Sequence, residues 1–306
     1  MIQTFIDPSQ LSQVTDLELL ARMVVEGFLS GIHRSPHTGN SIEFAQYRPY
    51  TQGDDLRFLD WKLYARTDRL HLKQFQEETN LRCSLLLDCS ASMNYGSASV
   101  TKFQLARMLV ASLAMILKKQ GDSTGLIAYH RELVHHLPAT TDSRNFRRIL
   151  VALSNLVPAE ATDTPGALRF LGDVLRPRGM VILVSDLLHP LEDVVEHLKS
   201  LRARRHDVLV FQISDPAEQT FAFDGAVTLV DAEQGEERFI VPESVREAYL
   251  ANRAAHFETI RRECLAAEID LIELTTQQPL DFALRHFLNH RNRTLKTTGL
   301  RKAGRF

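Results

Sequence analysis

Oxygen-bearing side chains with a regular spacing follow the apolar run 85–87. Asp88, Ser90 and Ser92 form an Asp-x-Ser-x-Ser pattern between that run and a long helical pattern. Because the carboxyl ends of strands border the crevice of an open parallel sheet, these three side chains occupy a favoured position for a site. Carboxylate and hydroxyl oxygens are ligands of hard divalent cations, so the pattern predicts a cation site. The alternative is a serine-capped helix start in which Asp88 bonds to its own loop.

Two further oxygen donors are predicted at the same edge of the sheet. Asp186 follows the apolar run 180–184, and Thr162 lies in the loop before the helix whose chain leads to that run. A donor set of oxygens alone favours Mg²⁺ or Mn²⁺ over zinc, whose usual ligands are cysteine and histidine. The two aspartates would only neutralise a divalent ion, so we expect the site to attract an acidic side chain of a partner protein. The predicted ligands are Asp88, Ser90, Ser92, Thr162 and Asp186.

The elements that must position these side chains alternate between short apolar runs and longer helical patterns. Such alternation is typical of an α/β fold in which helices cover both faces of a parallel sheet. Helical periodicity also predicts that the first of the helices is deeply packed. The predicted strands are 83–88, 125–129, 180–185, 207–213 and 269–274. The predicted helices are 101–119, 144–157 and 166–176.

The rest of the chain departs from this alternation. The runs 227–230 and 238–241 flank a polar turn and predict a hairpin appended to the α/β unit. The beginning of the chain predicts a helix near 16–29, followed by a small segment of strands and turns. The basic end of the chain has no apolar period, and we expect a flexible tail there. The predicted parts are the N-terminal segment 1–80, the α/β domain 81–290 and the tail 291–306.

Composition and charge restrict the class of protein. The 306 residues are 44% hydrophobic and carry 36 Lys and Arg against 38 Asp and Glu, a formal net charge of −2. This balance gives no field to attract nucleic acid or an anionic membrane, so we expect protein partners. The chain has no basic leader followed by an apolar run and no stretch long enough to span a bilayer. Its cysteines, Cys83, Cys89 and Cys264, show no CxxC spacing, which predicts reduced thiols in the cytoplasm.

The predicted ligands resemble the metal-ion-dependent adhesion site of von Willebrand factor A domains. Those domains are doubly wound, Rossmann-like sheets with helices on both faces, in three layers. The resemblance implies the same mostly parallel α/β fold here, and a metal site that binds proteins rather than running a reaction. It is carried by Asp88, Ser90, Ser92, Thr162 and Asp186.

A second and more specific resemblance is to the bacterial family catalogued as domain of unknown function fifty-eight. That family is associated with MoxR-type AAA+ ATPases, so the resemblance implies a cytoplasmic adaptor to such an ATPase in a chaperone-like or assembly role. The family often has glycines at two positions that are Glu160 and Ala161 here, which bears on Thr162 as a ligand. The resemblance spans about residues 40–290 and rests on Glu43, Tyr47-Arg48-Pro49-Tyr50, Gly53-Asp54-Asp55, Arg57, Asp60-Trp61, Ala65-Arg66, Leu70, Lys73, Phe75 and Glu78.

Other functions stay open. Phosphatases of the haloacid dehalogenase type also use a strand-terminal aspartate with Mg²⁺, but they need a second aspartate two residues later, where this chain has Ser90. A structural protein without a metal is the third hypothesis. Residues 53–55 are interpreted as a polar turn, and the pair His286 and His290 as surface histidines. His189 is interpreted as a solvated loop residue, with a neighbour of the metal as the alternative.

Overall fold

The computed structural model describes residues 8–11, 16–33, 46–50, 59, 61–74, 81–175, 178–189, 191–233 and 235–302. The chain divides into two compact units, of which the larger combines Met1–Gly31 with Asn80–Phe306 and the smaller is Ile32–Thr79. The sequence placed everything before residue 81 in one segment. In the structure the first long helix instead belongs to the larger unit.

The described strands and helices alternate through most of the larger unit. In chain order, the strands are β1 (Gln46–Pro49), β2 (His71–Gln74), β3 (Arg82–Asp88), β4 (Ser123–Tyr129), β5 (Leu133–Thr140), β6 (Met180–Ser185), β7 (Asp207–Ser214), β8 (Val227–Val230), β9 (Glu237–Ile240) and β10 (Asp270–Thr275). The helices are α1 (Pro8–Leu11), α2 (Leu17–His33), α3 (Trp61–Thr67), α4 (Lys102–Lys119), α5 (Asn145–Asn155), α6 (Thr164–Val174), α7 (Leu191–Ala203), α8 (Pro216–Thr220), α9 (Pro242–Ala266) and α10 (Leu280–Lys302).

A six-stranded sheet forms the centre of the larger unit. Its order is β10-β7-β6-β3-β4-β5, and every neighbouring pair is parallel except β4 and β5. Helix α4 packs against α5 and α10 at one face, and α7 packs against α6 and α9 at the other. Strands β3, β4, β6 and β7 are buried along nearly their whole length, because helices cover both faces of a parallel sheet. The predicted α/β fold with a doubly wound, mostly parallel sheet is therefore confirmed.

The five predicted strands and three predicted helices all form, each within two residues of its predicted bounds. The helix predicted at 101–119, which forms as α4, is buried at nearly every position from Phe103 to Leu117, as its periodicity predicted. The predicted hairpin also forms, as β8 and β9, which pair only with each other among the described strands. No helix in the described part of the chain combines the length and apolar composition needed to cross a bilayer.

Strand β5 at the edge of the sheet was not predicted from the sequence. It runs antiparallel to β4, with shifts in register near both of its ends. Most of its residues are exposed or half-buried, and Pro138 lies within it. Proline lacks the N–H that a ladder needs and is confined to edge strands and bulges. Because β5 is exposed and contains a proline, its sequence shows no apolar run that would predict a strand.

The two ends of the chain differ from their predicted structure. In the smaller unit β1 and β2 pair antiparallel, but a short helix, α3, lies between them where the sequence predicted only strands and turns. At the other end, α10 continues to Lys302, so a helix occupies most of the predicted flexible tail. The family-like residues Glu43, Gly53-Asp54-Asp55, Arg57, Asp60, Phe75 and Glu78 lie outside the described residues.

Candidate metal centre

The candidate site lies where the chain order of the central sheet reverses. From β3 the chain continues outward through β4 and β5, and it then returns to β6 on the other side of β3. The loops that follow β3 and β6 therefore diverge and leave a crevice at the carboxyl ends of the two strands. Asp88 is the last residue of β3, and Asp186 directly follows β6. Both predicted aspartates consequently border the same crevice.

The loop after β3 is held by hydrogen bonds within itself and to the end of β4. The N–H of Ser90 donates to Asp88 Oδ1 at 3.0 Å, and the hydroxyls of Ser90 and Ser92 lie 3.1 Å apart. The N–H of Cys89 donates to the carbonyl of Tyr129 at 2.8 Å. Asp88 and Ser90 are fully buried, whereas Ser92 is half-buried. The two hydroxyls thus lead from a buried carboxylate towards the surface.

Thr162 lies in the loop before α6, which is joined to the loop after β3. The N–H of Ala91 donates to the carbonyl of Glu160 at 2.8 Å. Glu160 has a φ of 56°, in the left-handed region that favours glycine, so the departure from the family pattern falls on a strained residue. The Thr162 hydroxyl nevertheless donates to Asp88 Oδ2 at 3.3 Å. The structure therefore brings Thr162 to the other predicted ligands.

Asp186 joins the same hydrogen-bonded cluster through a serine hydroxyl. The hydroxyl of Ser92 donates to Asp186 Oδ2 at 2.9 Å. Ser185, the last residue of β6, donates its hydroxyl to Asp88 Oδ2 at 2.7 Å and so connects the ends of the two strands. All five predicted ligands consequently lie in one cluster at the switch point of the sheet. Ser185 is a sixth oxygen donor there.

A buried lysine also reaches this cluster, because of where α4 begins. Thr101 caps the helix: its hydroxyl accepts from the N–H of Gln104 at 3.2 Å, and the Gln104 side chain accepts from the N–H of Thr101 at 3.0 Å. Lys102 is therefore the first helical residue. Its Nζ lies 2.8 Å from Asp186 Oδ2 and 2.6 Å from Glu218 Oε1. Thr101 caps α4 and the Ser90 side chain caps no helix, so the serine cap of the alternative interpretation is not formed. The other part of that alternative, a bond between Asp88 and its own loop, is formed by the N–H of Ser90.

The charge of Lys102 changes the electrostatic balance of the site. Burial lowers the pKa of Lys102, but the carboxylates of Asp186 and Glu218 together raise it by more than burial lowers it. The pKa of Lys102 therefore lies above its ordinary value, and the ammonium stays charged. The formal charges of Lys102 and Glu218 cancel. Asp88 and Asp186 then leave two net negative charges in a buried site, which a divalent cation would neutralise.

Burial and the negative charge of Asp186 both disfavour the ionised form of the Asp88 carboxyl. Burial, followed by the negative charge of Asp186, raises the pKa of Asp88 to about 6. Hydrogen bonds donated by Ser185 and Ser90 lower the same pKa and only partly offset these effects. A nearby cation stabilises the charged form of a buried carboxylate, which is costly to ionise without one. The electrostatics of Asp88 therefore favour cation binding at this site.

The donor set fits a hard divalent cation. Two buried carboxylates and several hydroxyls converge, and oxygen ligands with water suit Mg²⁺ or Mn²⁺. Within the described residues, no three carboxylate, histidine or cysteine side chains are grouped so as to hold a metal ion by themselves. A cation at this site would therefore depend on the serine and threonine hydroxyls as well as on the aspartates.

A third strand-terminal aspartate, Asp215, has its hydrogen-bonding capacity filled. It follows β7 and is fully buried. Its carboxylate accepts from the N–H and hydroxyl of Ser97 at 3.0 and 2.5 Å, from the N–H of Ala217 at 2.9 Å and from the hydroxyl of Thr276 at 2.9 Å. Burial raises the pKa of Asp215, but these hydrogen bonds lower it below its ordinary value. Asp215 therefore ties three segments together.

Sequence reasoning missed Lys102, Glu218 and Ser185 as members of the site. A hydroxyl immediately before Asp186 at the end of an apolar strand was a usable signal for Ser185. Lys102 gave a weaker signal, a lysine at the start of a helix that is otherwise apolar on most faces. Glu218 gave none, because it lies in the five-residue α8, which is too short to show a period.

The histidines noted in the sequence lie on α10 and in the loop after β6. His290 is not a surface histidine: its Nδ1 lies 2.7 Å from Asp270 Oδ2, and its side chain is 12% exposed. His189 is half-buried in the loop after β6. Residues 53–55, the predicted polar turn, lie outside the described residues.

Comparison with known proteins identifies related sequences. A family model described as "Protein of unknown function DUF58" matches residues 46–259. The chain is also similar to the uncharacterized protein Rv1480 of Mycobacterium tuberculosis, with 29% identity over 278 residues. That match covers 89% of this chain and 86% of the relative.

Solved structures with the same kind of fold are more distant. The chain is similar to the conserved hypothetical protein BatB from Bacteroides thetaiotaomicron, with a TM-score of 0.47 and 15% identity over 69% of this chain and 99% of that one. It is also similar to the VWA domain of SpRpn10, with a TM-score of 0.39 and 13% identity over 67% of this chain and 95% of that one. Likeness at this level carries no argument about function, and the fold class rests on the sheet order.

Proposed function

The chain belongs to the DUF58 family of proteins of unknown function, and from this premise we propose that it is a protein-binding module that uses a divalent cation. The observation that carries the proposal is the convergence of Asp88, Asp186 and three hydroxyl side chains at the switch point of the sheet. This arrangement suits Mg²⁺ or Mn²⁺. We propose that the partner supplies an acidic side chain to the metal.

Each of the proposed ligands has a distinct part in holding the cation. Asp88 and Asp186 supply the negative charge from below the surface, and Ser90 orients Asp88 by donating its N–H to Oδ1. Ser92 and Thr162 are half-buried and supply neutral oxygens on the side that a partner can approach. When bound, the ion would supply positive charge that attracts an anionic oxygen. Water would complete its coordination.

The partner that we propose is a MoxR-type AAA+ ATPase in the cytoplasm. This part rests on the association of the family with such ATPases, and its expected role is that of an adaptor in a chaperone-like or assembly process. Crosslinking in native cells, followed by capture of the full chain and mass spectrometry, should recover the ATPase. Recovery of other stable complexes without any ATPase would contradict this part of the proposal alone.

Binding rather than catalysis is proposed because the site lacks the groups of a Mg²⁺-dependent phosphatase. Ser90 stands where the second aspartate of that chemistry is needed. Lys102 is the lysine beside the site, but it is fully buried and paired with Asp186 and Glu218, so it does not present its charge to a phosphate. We expect no turnover of a chromogenic phosphate ester. Turnover that Asp88→Ala abolishes would overturn the proposal.

The decisive experiment measures partner capture with and without the metal. The full chain, its Asp88→Ala variant and a control, Asp173→Ala, are each used to capture partners from native cell extract in Mg²⁺ or in EDTA. Asp173 is an exposed carboxylate on α6, outside the cluster of ligands. Wild type and the control should capture the same proteins in Mg²⁺ only, and Asp88→Ala should capture them in neither buffer. Capture that is indifferent to EDTA, or normal capture by a folded Asp88→Ala protein, would refute the metal-dependent mechanism.

A further inference from the structure

A cavity of about 240 Å³ lies on one face of the central sheet, away from the candidate metal centre. It is lined by Arg82, the first residue of β3, and by Met180, the first residue of β6. The metal centre instead borders the last residues of these two parallel strands. The end of α6 and the edge strand β5 complete the lining. The cavity is therefore separate from the proposed metal site.

Two small residues side by side leave this space under α6. Ser84 of β3 and Gly125 of β4 are partners in the sheet, so they lie next to each other on the same face. Two residues further along each strand, Leu86 and Ile127 lie on that face too, and both belong to the apolar cluster that includes Leu171 of α6. Large side chains fill the core there. The cavity is the space that a similar pair would fill at Ser84 and Gly125.

The walls of the cavity are mostly apolar. Ile127, Leu171 and Met180 are buried, whereas Val174 and Leu175 at the end of α6 are exposed and half-buried, so the cavity is accessible from their side. An apolar cavity of about 150 Å³ holds a benzene molecule, which has six carbon atoms. In proportion, this cavity has room for about ten non-hydrogen atoms. Its size and lining suit a small ligand with an apolar body.

Two polar groups in the lining lack a partner. Ser84 is 7% exposed, and its hydroxyl forms no hydrogen bond with the described residues. Arg82, two residues earlier on the same face of β3, is exposed and forms no ion pair in the described part of the chain. A buried hydroxyl normally has a hydrogen-bond partner, and a guanidinium pairs best with a carboxylate.

The charge of the lining also favours an anionic ligand. Its titratable side chains are Arg82 and His136, and the described residues contribute no carboxylate to it. The ring of His136 packs edge-on against Phe170 of α6, with 5.1 Å between the ring centres. A negative group in the cavity would therefore meet a guanidinium and a hydroxyl without an opposing acidic side chain.

We propose that this cavity binds a medium-chain carboxylate, a molecule with an acyl chain of about eight carbon atoms. The chain occupies the space between the sheet and the end of α6, where Leu171 and Met180 form the walls. The carboxylate accepts hydrogen bonds from the guanidinium of Arg82 and the hydroxyl of Ser84. This site does not need the cation of the proposed function, so the two proposals stand or fall separately.

The test titrates the full chain in EDTA with butanoate, hexanoate, octanoate, decanoate and octan-1-ol, and it measures each affinity by calorimetry. The variant is Arg82→Gln, and the matched control is Arg131→Gln. Arg131 is exposed in the turn after β4, outside the lining of the cavity, and forms no ion pair with the described residues. Methyl spectra of protein labelled at methionine locate the ligand, because Met180 lines the cavity and Met93, in the loop after β3, does not.

Affinity should rise about fourfold for each added methylene from butanoate to octanoate, because each enters an apolar space, and it should gain nothing more at decanoate. Octanoate should shift the methyl resonance of Met180 and leave that of Met93 in place. Arg82→Gln should bind octanoate about fivefold more weakly and octan-1-ol as wild type does, since the ion pair of an exposed arginine contributes modestly. Arg131→Gln should match wild type throughout.

Three results would overturn the proposal. They are the absence of saturable octanoate binding, binding that leaves the Met180 methyl unmoved, and an Arg82→Gln protein that binds octanoate as tightly as wild type. Melting temperatures of the free proteins establish that the variants are equally folded. Because every titration is made in EDTA, none of these results bears on the metal site.

Discussion

Replacing Lys102 with methionine tests the electrostatic balance of the candidate site. Methionine keeps most of the side-chain length but removes the ammonium that lies 2.8 Å from Asp186 and 2.6 Å from Glu218. The side chains of Lys102 and Asp186 are 1% and 3% exposed, so the substitution leaves a buried carboxylate without its cation. Removing one partner of a buried ion pair costs about 3–5 kcal/mol. We expect the free energy of unfolding in EDTA to fall by that amount.

The control for this variant is Lys119→Met on the same helix. The Nζ of Lys119 lies 4.0 Å from Glu26, and the two side chains are 43% and 59% exposed. Exposed pairs of this kind contribute about 0–1 kcal/mol. A change of 1 kcal/mol shifts the melting temperature of a domain of this size by roughly 2–4 °C, so Lys102→Met should melt roughly 6–20 °C lower than wild type. Urea unfolding in EDTA gives the corresponding free energies.

Adding Mg²⁺ distinguishes a structural ion pair from one that is coupled to the metal. Saturation at 100 times the dissociation constant stabilises a folded protein by about 2.7 kcal/mol. In Lys102→Met the cation would also replace part of the missing positive charge beside Asp186, so the difference in stability from wild type should narrow in Mg²⁺. If Lys102→Met is as stable as Lys119→Met in EDTA, the stabilising contribution of the buried ion pair is refuted. A difference that Mg²⁺ leaves unchanged would refute the coupling.

Three further predictions concern the loops that border the crevice. Asp88→Ala should abolish Mg²⁺ binding measured by calorimetry, whereas Ser90→Ala should weaken it less, since water can replace a hydroxyl ligand; equal losses would contradict this ranking. Asp215→Ala should lower the free energy of unfolding in urea by about 3 kcal/mol, because it leaves buried donors without an acceptor; a loss below 1 kcal/mol would mean that water replaces the carboxylate. Glu160→Gly should raise the melting temperature, with a gain of up to about 1 kcal/mol, since glycine adopts the φ of 56° without strain. Glu160→Val should lower it, and the opposite order would refute the strain.

The parts of the fold that the sequence predicted are those whose burial is uniform. Strands such as β3 and β6 are covered on both faces, so they are apolar at nearly every position and stand out between polar loops. Strand β5 lacks that signal because it lies at the edge of the sheet and carries His135, His136 and Pro138. Helix α9 was missed for a related reason: it buries only a few of its 25 residues, so its apolar period is weak.

The predicted site residues were recognisable because strand ends are local features of a sequence. Asp88 and Asp186 each end an apolar run, and their convergence follows from the topology that such runs imply. The lysine could not be recognised in this way. Lys102 is buried only because Asp186 and Glu218 lie beside it, 84 and 116 residues further along the chain. Burial of a charge depends on tertiary partners, which no local pattern records.

The edge strand β5 has a consequence for self-association. The central sheet is built from continuous apolar strands, and an open edge on such a sheet can pair with another polypeptide and begin aggregation. Pro138 interrupts the row of N–H groups along β5, and the register shifts against β4 distort the edge further. An added strand would find no continuous ladder of hydrogen bonds on this side. The features that made β5 hard to recognise in the sequence thus also protect the folded sheet from growing strand by strand.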